Sequence, residues 1–183
     1  MLAGRKQLLE GSQVVVIDTN LPAESIAWLA DNCHAPIFAD PVSTVKAEKL
    51  RPVLGKLHTL KPKRLEAELL SGVPITGTDS LHRAAQTLLE TGLHRVFISL
   101  GADGVYAADQ SGSVTLPAPK AEMVSTTGCG DSFMAALTWA YLQGSDLERS
   151  ARAGLAASSL TMESAETIHP SMSEAERLRR MAL

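Results

Sequence analysis

Short runs of apolar and β-branched residues alternate along the chain with longer helical patterns. The runs lie at residues 14–17, 37–39, 57–60 and 95–100. The first run is continuous, as expected for a strand that is buried on both faces. Strands that alternate with helices predict an α/β fold, here a doubly wound, mainly parallel sheet with helices on both of its faces. Ligands in such folds bind beyond the carboxyl ends of the strands.

Helical patterns and turn signals complete this prediction. Pro52 marks a kink or a stop in a helix over 44–54, and Asp79 is expected to cap a helix that ends near Gly92. A polar, glycine-containing turn predicts a hairpin after residue 104. The hairpin strands are predicted at 105–108 and 113–116, and further helices at 22–30, at 63–70, from 130, from 146 and at 173–181. A length of 183 residues suits a single domain over 1–183.

Composition and charge exclude several classes of function. A net charge of -3 and an aromatic content of 4% argue against a nucleic-acid-binding surface. No apolar run is long enough to span a bilayer and no signal segment is visible, so no membrane partner is expected. Two cysteines form neither a disulfide framework nor a metal quartet, which predicts a reducing, cytoplasmic location. The five histidines show no paired ligand spacing and are interpreted as surface or loop residues.

The segment 125–131 (STTGCGD) runs straight into an apolar, small-residue helical pattern. Gly128 and Gly130 allow backbone conformations that are closed to other residues, and they let a ligand come close. The free N–H groups and the dipole of the following helix favour a phosphate or a developing oxyanion. Asp131 is placed to take a proton from a hydroxyl beside that anion. The alternative is that Asp131 only caps the helix, since Asp is a favoured capping residue.

This segment resembles the C-terminal signature of the PfkB family of carbohydrate and nucleoside kinases, which share the ribokinase-like fold. The usual form is Asp-Thr-x-Gly-Ala-Gly-Asp-x-Phe, followed by a small-residue helix. Ser125 replaces the usual first Asp, which helps to hold a monovalent cation in potassium-dependent relatives, so cation dependence stays open. The resemblance implies that Asp131 is the catalytic base and that Thr127 contacts the nucleotide. It also implies an anion hole formed by Gly128, Cys129 and Gly130.

A second segment, 60–72, resembles the family's Lys-Pro-Asn-x-x-Glu segment at the end of a strand. Glu66 falls on the Glu that organises the magnesium shell. Lys61 and Lys63 are implied nucleotide contacts, and Lys63 stands where the family usually has Asn. Its cation could reach a phosphate but cannot accept hydrogen bonds from metal-bound water.

An alternative explanation covers the acidic residues of this segment. Glu66 and Glu68 would lie on the solvated face of an amphipathic helix whose apolar face is Leu65, Leu69 and Leu70. We prefer this alternative for Glu68 and the metal-organising role for Glu66.

Two further segments match the family in the right order. Residues 96–105 resemble a strand that ends in Thr-Leu-Gly-x-x-Gly and lines the ATP site, although alone this pattern is a plain turn signal. Residues 151–162 resemble the small-residue helix that flanks adenine, and close helix packing would explain the same composition. The nucleotide contacts implied by these segments are Ser99, Gly101, Gly104, Leu155 and Ser158.

The resemblance implies ATP- and Mg²⁺-dependent phosphoryl transfer to a hydroxymethyl group of a small-molecule sugar or nucleoside. Residues 38–46 and 57–62 look most like the bacterial pseudouridine kinases, which phosphorylate the ribose 5′-hydroxyl. Two alternatives stay open. One is a ribokinase-like kinase for another sugar or nucleoside, and the other is a truncated nucleotide-binding fragment that does not phosphorylate.

The chain resembles only the C-terminal part of the family. The sugar-binding Asp, the Gly-Gly-Asn signature and the β lid of the N-terminal part have no counterpart here. We therefore expect a truncated gene product that binds ATP weakly and phosphorylates little. Its sheet would expose an edge that invites pairing with another chain, so a homodimer is a further expectation.

Overall fold

The computed structural model describes residues 3–182, which divide into two compact units. The first unit comprises the described residues up to Ser99 together with Tyr106–Ser113. The second comprises Leu100–Val105 and the described residues from Val114 onward. The single domain predicted over 1–183 stays a prediction. Within residues 3–182, every helix is too short or too polar to cross a membrane.

A sheet of six strands confirms the predicted α/β fold. The strands are β1 (Val15–Asp18), β2 (Ile37–Asp40), β3 (Thr59–Leu60), β4 (Arg95–Ser99), β5 (Val105–Asp109) and β6 (Gly112–Leu116). They follow one another across the sheet in the order β1-β2-β3-β4-β5-β6. The first four strands run parallel. A two-residue connection forces β5 and β6 to run antiparallel, which makes the sheet mixed.

The predicted burial of residues 14–17 on both faces is wrong. β1 occupies one end of the strand order, and the Val16 residue is 49% exposed although the neighbouring Ile17 is buried. The apolar residues of β2, which has a parallel neighbour on each side, are all buried. A run of β-branched residues thus predicted the strand correctly but could not show that the strand lies at the sheet edge.

Most of the α-helices agree with the sequence pattern apart from their ends, and two regions differ. Within residues 3–182 they are α1 (Lys6–Glu10), α2 (Ala23–Asn32), α3 (Thr44–Ala47), α4 (Arg64–Ser71), α5 (Thr78–Glu90), α6 (Cys129–Leu142), α7 (Leu147–Met162) and α8 (Glu174–Met181). The short helix α1 was not predicted. The helix expected over 44–54 divides into α3 and a 3₁₀ helix, Glu48–Lys56, that contains Pro52. Proline has no N–H for an α-helical hydrogen bond, which explains the change.

The predicted cap of α5 also differs. Gly77 precedes the helix, and Asp79 lies in its first turn without acting as the cap. The Ser80 hydroxyl oxygen instead accepts hydrogen bonds from the N–H groups of Thr76 and Gly77. Sequence position favoured Asp79 because Asp is a frequent cap. The buried Ser80 hydroxyl instead reaches back to the backbone that precedes the helix, as the third residue of a capping box does.

Small residues allow α6 and α7 to pack closely in the second unit. Ala136 and Ala140 of α6 form a buried cluster with Ala153 and Ala157 of α7. A Cβ atom added at Gly154 would lie 2.4 Å from the Phe133 ring, so only glycine leaves room for that ring. This packing holds the amino-terminal end of α6 against α7.

The histidines were expected to be surface or loop residues, and His58 is a loop residue in the bend before β3 whose ring packs between two other rings. His58 is half-buried and stacks between Phe38 and His94, with ring centroids 5.4 and 5.2 Å away respectively. The pKa of His58 is lowered to about 4, chiefly by burial and then by the charges of the neighbouring His94 and Arg95. Local sequence signals do not predict this stack, because His58 and His94 are brought together only by the pairing of β3 with β4.

The lowered pKa of His58 predicts a pH-dependent loss of stability. The folded protein keeps His58 neutral down to about pH 4, whereas the unfolded chain protonates it near the ordinary histidine pKa of 6.5. The stabilising contribution is therefore complete above pH 6.5 and is lost as the pH falls from 6.5 towards 4. Urea unfolding of wild type and His58→Gln across this range should show a shallower pH dependence in the variant. The exposed His34→Gln serves as control, and an unchanged slope in His58→Gln would contradict the prediction.

Candidate functional site

In the first unit, four of the predicted site residues follow the carboxyl ends of β3 and β4. Lys61 and Lys63 come directly after β3, Glu66 lies in the first turn of α4, and Ser99 ends β4. The Ser99 N–H donates to the Pro62 carbonyl oxygen at 2.9 Å, which extends the parallel pairing beyond β3. A bridge between Lys63 and Ser99 continues it. The fold thus brings together two segments that are far apart in sequence.

Glu66 is a buried carboxylate rather than a residue of a solvated helix face. The residue is 2% exposed, and its Oε2 accepts a hydrogen bond from the Lys63 N–H at 2.8 Å. Burial raises the pKa of Glu66, while the Lys63 N–H and the charges of Lys63 and Lys61 act in the opposite direction. A buried acid that is oriented at the end of a sheet is a frequent property of functional sites.

The apolar face predicted for α4 is therefore partly wrong. Leu65 is 64% exposed, whereas Glu66, Ala67 and Leu70 form the buried stripe. Glu68 is half-buried, and its Oε1 accepts the Ile75 N–H at 3.0 Å. The preferred structural interpretation of Glu68 agrees with this contact, although the carboxylate binds the backbone of a following loop instead of facing solvent alone.

The ammonium group of Lys61 is not presented to solvent. Its Nζ lies 2.9 Å from Oδ2 of Asp40, the last residue of β2, and the Lys61 side chain is 3% exposed. Lys63, by contrast, is exposed and can reach a ligand. Lys63 can thus contact a nucleotide as predicted. Lys61 could contact a nucleotide only if its ion pair with Asp40 opened.

Sequence reasoning missed Asp40 and the turn that follows it. Oδ1 of Asp40 accepts the Val42 N–H at 2.9 Å, and Val42 has φ of 62°. A left-handed conformation at a β-branched residue stores strain of about 1–3 kcal/mol and is concentrated at functional sites. The available signal was Asp40-Pro41 directly after a predicted strand, a position at which ligands bind in parallel sheets.

In the second unit, the glycines after β4 shape a tight turn. Gly101 has φ of 66° and Gly104 has φ of 97°, and both lie at the ends of a 3₁₀ turn, Gly101–Asp103. A Cβ atom at Gly104 would lie 2.0 Å from the Leu116 carbonyl oxygen. Gly104 is therefore required by close backbone packing, whereas Gly101 is exposed and its surroundings are open.

The predicted anion-binding turn lies at the start of α6. Gly128 precedes the helix with φ of 83°, a left-handed conformation that glycine adopts without strain. A Cβ atom there would lie 2.4 Å from the Thr167 carbonyl oxygen, so the loop after α7 contacts this turn directly. Gly130, in contrast, belongs to the regular helix. Gly128 therefore has the unusual backbone conformation that the sequence predicts for it. For Gly130, the other predicted reason for a glycine applies, which is that a ligand can come close to the backbone.

The first turn of α6 offers unpaired N–H groups. The Cys129 N–H donates to the Thr126 carbonyl oxygen at 3.3 Å, a long hydrogen bond. Within residues 3–182, the N–H groups of Gly130 and Asp131 have no acceptor, as the geometry of a helix start predicts. These groups and the helix dipole favour an anion at this position.

Asp131 does not cap the helix. The capping position is Gly128, and no side chain accepts a hydrogen bond there. The Asp131 residue is exposed in the first turn of α6, which leaves its carboxylate available to a ligand hydroxyl. The structural alternative considered for this residue therefore has no support in the observed hydrogen bonds.

Contacts between α6 and α7 fix the remaining predicted residues. The Ser158 hydroxyl donates to the Cys129 carbonyl oxygen at 2.9 Å, and the Cys129 thiol donates to the Ser158 carbonyl oxygen at 3.5 Å. Burial raises the pKa of the Cys129 thiol, which keeps it protonated at neutral pH. Leu155 is buried and Thr127 is exposed, with its N–H bonded to Ser125 Oγ at 3.2 Å. Ser158 thus supports the turn, and Thr127 is the more accessible candidate for a ligand contact.

Comparison with known proteins shows the family of the chain. Residues 6–175 match the pfkB family carbohydrate kinase profile. The chain is 38% identical over 174 residues to the pseudouridine kinase of Escherichia coli (strain K12), an alignment that covers 94% of this chain and 56% of that protein. It thus spans about half the length of this curated relative.

Solved structures show the same fold. A candidate sugar kinase from Clostridium perfringens superposes with a TM-score of 0.94 at 33% identity, over 99% of this chain and 58% of that one. A ribokinase from Arabidopsis thaliana, solved with ribose and ATP, superposes with a TM-score of 0.83 at 22% identity, over 98% and 59% of the two chains. At that identity the second comparison supports the fold alone.

The geometry at Gly128 predicts a large effect of a small substitution. Gly101→Ala places a Cβ in open space and should lower the free energy of unfolding by about 1–2 kcal/mol, the cost of a left-handed conformation. Gly128→Ala incurs the same cost and also pushes a methyl group against the Thr167 carbonyl oxygen, so its loss should be clearly larger. Urea unfolding of both variants measures the difference. Equal losses would show that the Thr167 contact does not constrain the turn.

Proposed function

Because the chain belongs to the pfkB family of carbohydrate kinases, we propose that it transfers the γ-phosphoryl group of ATP to a hydroxymethyl group of a sugar or nucleoside. One observation carries this proposal. The start of α6 combines free N–H groups with an exposed carboxylate, Asp131, that is not used as a helix cap. Phosphoryl transfer to an alcohol needs an anion site and a nearby proton acceptor, and this turn supplies both within one helical turn.

In the proposed mechanism, Asp131 accepts the proton of the acceptor hydroxyl as the hydroxyl oxygen bonds to the γ-phosphorus of ATP. The bond from that phosphorus to the bridging oxygen breaks, and ADP leaves. The N–H groups around Gly128, Cys129 and Gly130 stabilise the charge that develops on the phosphoryl oxygens. The helix start is held by Ser158 and by the Thr167 backbone, so these donors need no reorganisation during the reaction. Thr127, Lys63, Ser99, Gly101 and Leu155 remain proposed nucleotide contacts, with Thr127 and Lys63 exposed enough to make them directly.

The residues present fit an Mg²⁺ ion that is bound together with nucleotide. Mg²⁺ usually keeps several waters and is held by one or two carboxylates plus substrate phosphates. Glu66 supplies one oriented carboxylate, and no cluster of three or more metal-ligating side chains exists among residues 3–182. Glu66 would therefore hold the ion with the help of nucleotide, and the ion would supply neutralisation of phosphate charge when bound.

The proposed acceptor is the 5′-hydroxyl of pseudouridine. The support is the 38% identity to the E. coli pseudouridine kinase, which extends over nearly all of this chain. A kinase for another sugar or nucleoside is the first alternative. The second is a nucleotide-binding protein without catalysis, which the alignment to 56% of the relative's length keeps open.

Two measurements on the 183-residue chain separate these functions. Calorimetry with Mg-ATP tests nucleotide binding, and a coupled ADP-release assay compares pseudouridine, ribose and no acceptor. Release that depends on pseudouridine supports the proposed substrate, and release with ribose alone supports the first alternative. Binding of Mg-ATP without acceptor-dependent release supports the second.

The role of Asp131 predicts a selective loss of turnover. Where the ADP-release assay detects acceptor-dependent turnover, Asp131→Asn should lower kcat by roughly 10²–10⁴-fold, the usual contribution of a general base. The affinity for nucleotide should change little, because the amide keeps the shape of the side chain. Asp79→Asn is the matched control, since Asp79 is also an exposed Asp in the first turn of a helix. Near-normal turnover of Asp131→Asn would contradict the role of Asp131 as the general base.

A further inference from the structure

A buried ion pair lies beyond the carboxyl ends of β2 and β3. Lys61 Nζ and Asp40 Oδ2 are 2.9 Å apart, and their side chains are 3% and 17% exposed. Every other ion pair found among residues 3–182 is more exposed. A buried ion pair is a weak source of stability, because desolvation of the charges offsets their attraction. Its presence at the ligand edge of a parallel sheet therefore calls for a functional explanation.

Strand register brings the two side chains together. Ala39 lies opposite Leu60 in the parallel pairing of β2 with β3, so Asp40 and Lys61 occupy the next position of the same register. The Lys61 N–H donates to the Ala39 carbonyl oxygen at 3.1 Å, which holds the backbone of Lys61 in line. The ion pair thus locks the side chain of a residue whose backbone is already fixed.

The segment fixed in this way orients Glu66. Lys61 is followed by Pro62, whose carbonyl oxygen accepts the Ser99 N–H, and by Lys63, whose N–H donates to Glu66 Oε2 at 2.8 Å. The ion pair is therefore connected to the Glu66 carboxylate through the backbone of residues 61–63 and the hydrogen bond from the Lys63 N–H. The charges of Lys61 and Asp40 also act on the pKa of Glu66, in opposite directions.

Asp40 is held on its other side as well. Its Oδ1 accepts the Val42 N–H, and the Thr19 hydroxyl donates to the Pro41 carbonyl oxygen at 2.5 Å. The left-handed Val42 is stabilised by these contacts and in turn restricts Asp40. Both partners of the ion pair therefore have little freedom to move.

We propose that the Asp40–Lys61 ion pair is a positioning element that holds the 61–63 segment, and through it the Glu66 carboxylate, ready for a divalent cation. This inference rests on the proposed metal role of Glu66. It assigns Lys61 an indirect role in place of direct contact with the nucleotide. Residues that orient metal-binding carboxylates typically contribute 10–100-fold to metal affinity.

The test uses Mn²⁺ together with the non-hydrolysable ATP analogue AMP-PNP as the probe of the 183-residue chain, because Glu66 is proposed to hold the ion with the help of nucleotide. Electron paramagnetic resonance compares protein-bound Mn²⁺ with Mn²⁺–AMP-PNP in the absence of protein. The double variant Asp40→Asn/Lys61→Met removes both charges, so net charge is unchanged and no unpaired charge stays buried. We expect a Kd about 10-fold or more weaker than that of wild type, with a Tm close to that of wild type. The control double variant Asp109→Asn/Arg95→Met removes a half-buried ion pair at the opposite ends of the strands and should leave the Kd unchanged.

Single variants provide the test if the double variant unfolds. Asp40→Asn removes a negative charge near the site, so simple electrostatics predicts tighter binding of the negatively charged Mn²⁺–AMP-PNP, whereas the positioning role predicts weaker binding. Tighter or unchanged binding, together with weaker binding by Glu66→Gln, would overturn the positioning role and leave the metal role of Glu66 intact. Mn²⁺ binding that Glu66→Gln does not weaken, or no binding by wild type, would overturn both.

Discussion

The parallel alignment of β1 to β4 is the constraint on which the polar chemistry of the first unit depends. Because these strands run in one direction, their carboxyl ends meet at one edge of the sheet. The pairing of Ala39 with Leu60 then places Asp40 beside Lys61, and the hydrogen bond from Ser99 to Pro62 adds the end of β4. A shift of one residue between β2 and β3 would turn Asp40 and Lys61 to opposite faces, since side chains alternate along a strand.

This edge concentrates groups that are costly to bury. Glu66, Lys61 and Asp40 give up hydration, and their pairing only offsets that cost. Val42 adds a strained backbone conformation. An apolar core of residues such as Phe38, Leu60 and Ile98 provides the stability that these features reduce. Departures from local rules that gather at one place are expected of a functional site.

In the second unit, close packing of α6 on α7 serves a similar purpose. Gly154 admits the Phe133 ring, and Ser158 bonds to the first residue of α6, so the helix start cannot shift along α7. The Thr167 backbone fills the space beside Gly128. Donors held in this way are already oriented before a ligand arrives, which is the condition for electrostatic stabilisation of a transition state.

Apart from α1, local signals in the sequence were sufficient for the order of strands and helices and for the glycine turn before α6. The turn at Gly128 depends on residues within a few positions of one another and lies where the sequence predicts it. The helix predicted from residue 146 is α7, which begins at Leu147 with Asp146 as its cap. Burial is different, because it depends on neighbours that are distant in sequence. The exposure of Val16 and Leu65, the burial of Glu66 and the pairing of Lys61 with Asp40 were therefore decided only when β2, β3 and α4 packed together.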